Sequence, residues 1–161
     1  MLTVYHKKSA PCRPIDQLIQ SIDVTNDWKL DYNLSCVITH IERASHKGPN
    51  LEHLKKAEWY LNRASLKAQG YQQNTYSSQS PTFEPLMFPP QEVCEDWKLT
   101  DLVASTLINI FFSRGHQSNM LKLKSLKAAL ECLKEEIEDL KNKQNCKLRF
   151  TDLGSIRKAL V

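Results

Sequence analysis

Apolar residues recur along this chain at intervals of three and four rather than two, a pattern that predicts helices throughout. Ile15, Leu18, Ile19 and Ile22 follow Pro14, a residue favoured in the first turn, and mark a first helix. A second, over residues 32–45, carries Leu34, Val37, Ile38 and Ile41 on one stripe. The stretch His46-Lys47-Gly48-Pro49 breaks it, and Asn50 is placed to cap a third helix. There Leu51, Leu54, Ala57, Tyr60 and Leu61 repeat the stripe to about Leu66. Further on, Leu123, Leu126, Leu130, Leu133, Ile137 and Leu140 alternate by three and four, the seam by which helices pair. Such a seam is an interface either inside its own bundle or between subunits. A short last helix is expected after Asp152.

Residues 70–90 sustain neither period and read as a polar, then proline-rich linker between a domain at 1–69 and one at 91–161. Phe83, Leu86, Met87 and Phe88 within it are apolar enough to pack on a neighbouring helix. Beyond the linker the order of elements begins again. Asp27-Trp28-Lys29-Leu30 returns as Asp96-Trp97-Lys98-Leu99, and each is followed by an apolar helix, a short basic break and a Leu-Lys-rich helix. With a few inserted residues, Leu54, Ala57 and Leu61 fall against Leu126, Ala129 and Leu133. The expected fold is therefore all-α: a small helical bundle of two related hairpins, a degenerate internal duplication, with a long amphipathic helix in the C-terminal half.

Composition narrows this reading. Only 4 glycines and 8% aromatic residues argue against a barrel or sandwich. No apolar run is long enough to span a bilayer, and the first residues, with His6, Lys7 and Lys8, lack a signal-peptide core, so a cytoplasmic protein without a membrane partner is expected. Five cysteines without a CxxC pair suggest neither a disulfide framework nor a zinc site, and the five histidines show no metal-ligand spacing, so no metal site is expected. A net charge of +4 is too small to demand nucleic acid but leaves room for a local basic site.

That site lies where the second helix gives way to the third. Arg43, His46, Lys47, His53, Lys55 and Lys56 gather near a helix start, where free N–H groups and the positive end of the helix dipole favour phosphate. Arg43 can bond an anion bidentately and Lys47 adds a point charge. Trp59 and Tyr60 stand beside Lys55 and Lys56, as base-stacking rings or as core aromatics.

The stretch DWKLDYNLSCVITHIERASHKGPNLEHLKKAEWYLNRA resembles the core of the SaV-like phage family of nucleotide kinases. Trp28, Leu30, Tyr32, Asn33, Leu34, Ile41, Arg43, Ala44, Lys47, Glu52, Leu54, Lys55, Lys56, Ala57, Trp59, Tyr60 and Leu61 fit its ordered blocks. The preceding segment from Ile15 to Asp23 is also similar, so the likeness covers about a third of the chain. It implies a small oligomeric helical protein which, in some members, phosphorylates deoxynucleoside monophosphates without a Walker loop, using ATP and Mg if catalytic. No GxxxxGK[ST] occurs here either. The chain departs from the pattern at Ser35-Cys36, Thr39-His40, Ser45 and His53, which removes a lysine and an acidic residue from the site. In the second copy Phe111 and Phe112 replace the Glu-Arg pair, leaving a structural copy.

The function expected is thus binding of a nucleotide or other phosphate ligand through Arg43, Lys47, Lys55, Lys56, His40, Trp59 and Tyr60. Catalysis stays open, since no residue is singled out as a general base. The alternative is a noncatalytic helical scaffold, a homo-oligomer or a partner of another helical protein, assembled through the Leu123 to Leu140 seam.

Overall fold

The computed structural model describes residues 18–46, 50–70, 86–116 and 118–159, with side chains placed as far as residue 147. Pro14, Ile15, Lys47, Gly48, Pro49, Phe83 and the rest of residues 71–85 lie outside the described residues. Within them the chain is all-helical: α1 (Ser21–Asp27), α2 (Tyr32–His46), α3 (Leu51–Gly70), α4 (Pro90–Asp96), α5 (Asp101–Gly115) and α6 (Asn119–Ala159). The long helices α2, α3, α5 and α6 form the bundle. α2 packs on α3 and α5 on α6, and the two hairpins meet mainly along α3 and α6. One hydrophobic cluster draws on both halves, so the division at the linker separates two half-bundles around a shared core.

The first helix starts later than the apolar spacing predicts. The Ile19 N–H donates to Asp96 Oδ2 at 2.8 Å, and its carbonyl accepts the Trp97 Nε1–H at 2.8 Å. Those bonds hold the backbone extended through Gln20 (φ −103°, ψ 147°), so α1 can begin only at Ser21. Ile19 is buried, while Leu18 and Ile22 face solvent. The other half returns the bond. Trp28 Nε1–H donates to the Phe88 carbonyl at 2.8 Å, and the Asp27 carboxylate accepts the N–H groups of Met87 and Phe88 at 3.2 and 3.0 Å. Each Asp-Trp pair therefore secures the segment entering the short helix of the other half. Both indole rings are buried, where an unpaired N–H would be costly, and each has its acceptor.

The residues after these tryptophans repeat the geometry. Lys29 and Lys98 adopt φ of 50° and 51°, a conformation usually left to glycine. In each case the next N–H reaches back to close the preceding helix: Leu30 to the Thr25 carbonyl and Leu99 to the Cys94 carbonyl, both at 3.1 Å. This is the Schellman ending, with lysine at the left-handed position. Asp31 Oδ1 then caps α2 by accepting the Leu34 N–H at 3.0 Å, whereas Thr100 before α5 makes no side-chain cap bond.

Burial follows a common register in the long helices. α2 buries Leu34, Val37, Ile38, Ile41 and Ala44, and α5 buries Val103, Thr106, Leu107, Ile110 and Ser113 at the same spacing. α3 buries Leu54, Ala57, Leu61, Ala64, Ser65 and Ala68, and α6 repeats the spacing with Leu126, Ala129, Leu133, Glu136, Ile137 and Leu140. The buried hydroxyls of Ser65, Thr106 and Ser113 donate to carbonyls one turn earlier, so no side-chain donor there is left unpaired.

Three expectations are corrected at helix ends. α3 continues past Leu66 to Gly70, because Ala68 still has core to bury against. Pro90 belongs to α4 at its first helical position, where its missing N–H is harmless. α6 runs 41 residues to Ala159 without a fresh start after Asp152. That stretch contains no proline, and one glycine costs only about 1 kcal/mol in a helix interior.

The leucine seam is intramolecular. Leu123, Leu126, Leu130, Leu133, Ile137 and Leu140 are all buried in the chain's own core, with α5 and α3 as the helices packed on α6. Of the two places expected for the seam, the chain's own bundle is the one these side chains occupy.

Candidate anion-binding edge

Where α2 and α3 lie side by side, helical periodicity brings Tyr32, Cys36, His40 and Arg43 along one edge, with His53, Lys56, Tyr60, Arg63 and Lys67 opposite. His40 is the centre of this row. Its Nδ1 is 3.3 Å from His53 Nδ1, so one ring donates and the other accepts. It stacks on Tyr60 with centroids 5.8 Å apart and planes at 21°, and on His53 at 5.5 Å and 28°. Burial first, then the neighbouring His53, Arg43 and Lys56, lower the His40 pKa below the ordinary histidine value. Two basic side chains and a second imidazole thus share one small region with it.

At the start of α3, Asn50 Oδ1 accepts the Glu52 N–H at 3.0 Å, as expected of the cap. Glu52 also meets Lys56 Nζ at 2.6 Å, and this hydrogen bond, followed by the lysine charge, lowers its pKa. Lys56 is therefore shared between a carboxylate and the histidine row. At an exposed site such a pair contributes little and exchanges readily for another anion.

The row continues towards Gly70 as an aromatic concavity. Tyr32, Asn33, Trp59, Tyr60, Arg63, Leu66 and Lys67 line an open hollow of about 730 Å³. Trp59 meets Tyr60 edge to face at 4.8 Å, and the Arg63 guanidinium sits 5.4 Å from the Trp59 ring centre. The Cys36 thiol beside Tyr32, by hydrogen bond and then by charge, with Tyr60 adding, raises the tyrosine pKa above its ordinary value.

Of the residues singled out in the sequence, Arg43, His40, Lys56 and Tyr60 come together on this edge, and Trp59 reaches it through Tyr60 and Arg63. Trp59 is 57% exposed and Tyr60 half-buried, so the first is not a core aromatic. Lys55 is turned onto the outward side of α3, exposed and away from His40. Lys47 lies outside the described residues. Sequence reasoning passed over Arg63 and Lys67, and matched Tyr32 to the family's blocks without assigning it to the site. Continuing the three-and-four spacing from Lys56 through Tyr60, and back from Arg43 to Tyr32, would have found them.

Among the described residues the second half holds no such row. By the shared burial register, His40 and Arg43 correspond to Asn109 and Phe112, and His53, Lys56 and Tyr60 to Ser125, Ala128 and Cys132. Two of its basic residues serve packing: Arg114 lies 4.9 Å over Phe111, which meets Trp28 edge on at 5.0 Å, and His116 Nε2 bonds Ser125 Oγ at 3.1 Å.

Among the described residues no helix is long and apolar enough to cross a membrane, and no group of three or more His, Cys, Asp or Glu is placed to hold a metal ion. Comparison of the chain with family profiles, curated proteins and solved structures finds no match.

Proposed function

We propose that the α2–α3 edge binds a phosphate-bearing small molecule, and that the ligand is a nucleotide. The observation that carries this reading is the gathering of Arg43, Lys56 and the His40–His53 pair around one point, beside the exposed ring of Trp59. Arg43 and Lys56 supply charge for phosphate, and a neutral imidazole supplies a further N–H. Trp59, Tyr60 and Tyr32, with Arg63 and Lys67 nearby, offer flat faces for a base and further positive charge along the same edge. The SaV-like resemblance favours a deoxynucleoside phosphate. The repeated helices, reciprocal tryptophan bonds and common burial register support reading the halves as copies, of which only the first keeps the ligand edge.

The resemblance implies ATP with Mg²⁺ as cofactor. The basic edge fits the phosphates of such a molecule, while the described side chains supply no cluster of protein ligands for the metal. The reading therefore extends to binding and derives no phosphoryl transfer. Assembly through the leucine seam, the competing scaffold reading, would need those side chains on the surface, and they are buried.

Isothermal titration of nucleoside mono- and triphosphates against wild type, Arg43→Ala and Arg114→Ala tests the proposal. Loss of one charge-assisted bond should weaken binding roughly tenfold to a hundredfold in Arg43→Ala and leave Arg114→Ala unchanged. No binding to wild type, or equal binding by all three, would remove it.

A further inference from the structure

A second concavity lies on the opposite side of the same junction and has different chemistry. Ile41, Ala44, Ser45 and Leu54 of the first half, with Lys98, Leu99, Thr100, Val103 and Glu136 of the second, line about 160 Å³ of mainly apolar space that is open on one side. This is close to the size of cavities that admit a benzene-sized molecule. Glu136 is the anomaly. It is 6% exposed, and among the described residues no ion pair or hydrogen bond reaches its carboxylate. No described side-chain oxygen or nitrogen is both sealed from solvent and unpartnered, so the carboxylate keeps some access to water, and Glu136 is one of the residues that line the cavity. Packing does not explain its presence, because at the same register α3 carries Ala64.

A carboxylate beside apolar walls, with no partner from the protein, is a ready counter-charge for a cation whose apolar part those walls would cover. A metal ion would need several oxygen ligands, whereas aliphatic side chains dominate here. We propose that this cavity binds a small organic cation, a primary ammonium on a short apolar chain, with the ammonium on Glu136 and the chain against Ile41, Leu54, Leu99 and Val103. Ser45 and Thr100 offer hydroxyl acceptors for the remaining ammonium hydrogens. Lys98, exposed at the rim, disfavours larger cations that would protrude past it. The proposal is independent of the phosphate reading, since it uses none of the same side chains.

Titration of full-length protein with n-butylammonium and with neutral 1-butanol, read by calorimetry, tests it. Wild type should prefer the ammonium by about tenfold or more, as expected for a charge-assisted bond. Glu136→Gln and Glu136→Ala should both lose that preference while still admitting 1-butanol. The alanine variant restores the residue type that α3 tolerates at this register, which guards against a folding defect in the glutamine variant. Absence of ammonium binding to wild type, equal affinity for the two probes, or a preference that survives both substitutions would overturn the proposal.

Discussion

The α2–α3 hairpin and the α5–α6 hairpin bury side chains at the same positions and expose different chemistry. In the first, the edge between the helices carries His40, Arg43, His53, Lys56 and Tyr60. In the second, Asn109, Phe112, Ser125, Ala128 and Cys132 stand at those places, and Asn109 spends its amide on the Ser105 carbonyl at 2.9 Å. Buried positions are constrained by packing density, so both halves keep small or aliphatic residues there, Glu136 opposite Ala64 being the departure. Exposed edge positions carry no such constraint and are free to hold or lose a binding site. One half can thus act as the structural partner of the other, and the reciprocal Asp-Trp bonds make each half necessary to the other's first helix.

The largest effect should come from breaking that reciprocity. Trp28→Ala and Trp97→Ala should each destabilise the fold by about 3 to 5 kcal/mol, the usual range for removing a buried aromatic. Urea unfolding measures both. Trp59→Ala, which removes an exposed ring, should stay within about 0.5 kcal/mol of wild type. If one buried tryptophan proved dispensable, the halves would not be equal partners in stability.

Arg43→Ala against Arg114→Ala probes the functional side of the contrast. Arg43 should carry about 1.5 to 3 kcal/mol of phosphate affinity and little stability. Arg114, stacked on Phe111, should show no role in affinity and a loss of about 0.5 to 1 kcal/mol in stability. Paired ligand titration and thermal unfolding of the two variants separate these outcomes, and a crossed result would reverse the roles assigned to the halves.

Lys29→Gly and Lys98→Gly ask whether the two left-handed turns are strained alike. A non-glycine residue there costs about 1 to 2 kcal/mol, partly offset by the greater freedom of glycine in the unfolded chain. A gain below about 1 kcal/mol is expected in each variant, and unequal gains would show that one turn is held by its surroundings.

The smallest effect concerns pH. Burial and the charges of His53, Arg43 and Lys56 disfavour the protonated form of His40 in the folded protein, so the unfolded chain binds its proton more readily. Stability then falls as pH drops through the ordinary histidine value of about 6.5, because acid favours the state that takes up the proton. Thermal midpoints between about pH 8 and about pH 5.5 should decline less in His40→Gln than in wild type. Asn109, at the matching place, cannot titrate, so Asn109→Gln should leave the slope as it is. A bound phosphate should oppose the decline by stabilising the imidazolium.

By contrast Cys94, whose thiol burial pushes up to about 11, stays protonated throughout this range and takes no part in it.

Much of the architecture was legible in the residues alone. The three-and-four spacing marks α2, α3 and α6, Asn50 marks the start of α3, and the repeated Asp-Trp-Lys-Leu marks matching turns, because periodicity and capping are local and need only neighbouring residues. Arg43, His40, Lys56 and Tyr60 were visible as candidates for the same reason: they share one stretch of two adjacent helices. What the sequence could not supply was any relation across a long separation. That Ile19 is tied to Asp96 and Trp97, and so delays α1, depends on contacts between distant parts of the chain. Whether the leucine seam faces a subunit or its own bundle depends on which helices arrive beside it, and α3 and α5 fill it. Glu136 reads locally as one more surface acid in a charged helix. Only the packing of both halves turns it inward, because a helix presents its face to whatever tertiary neighbour covers it.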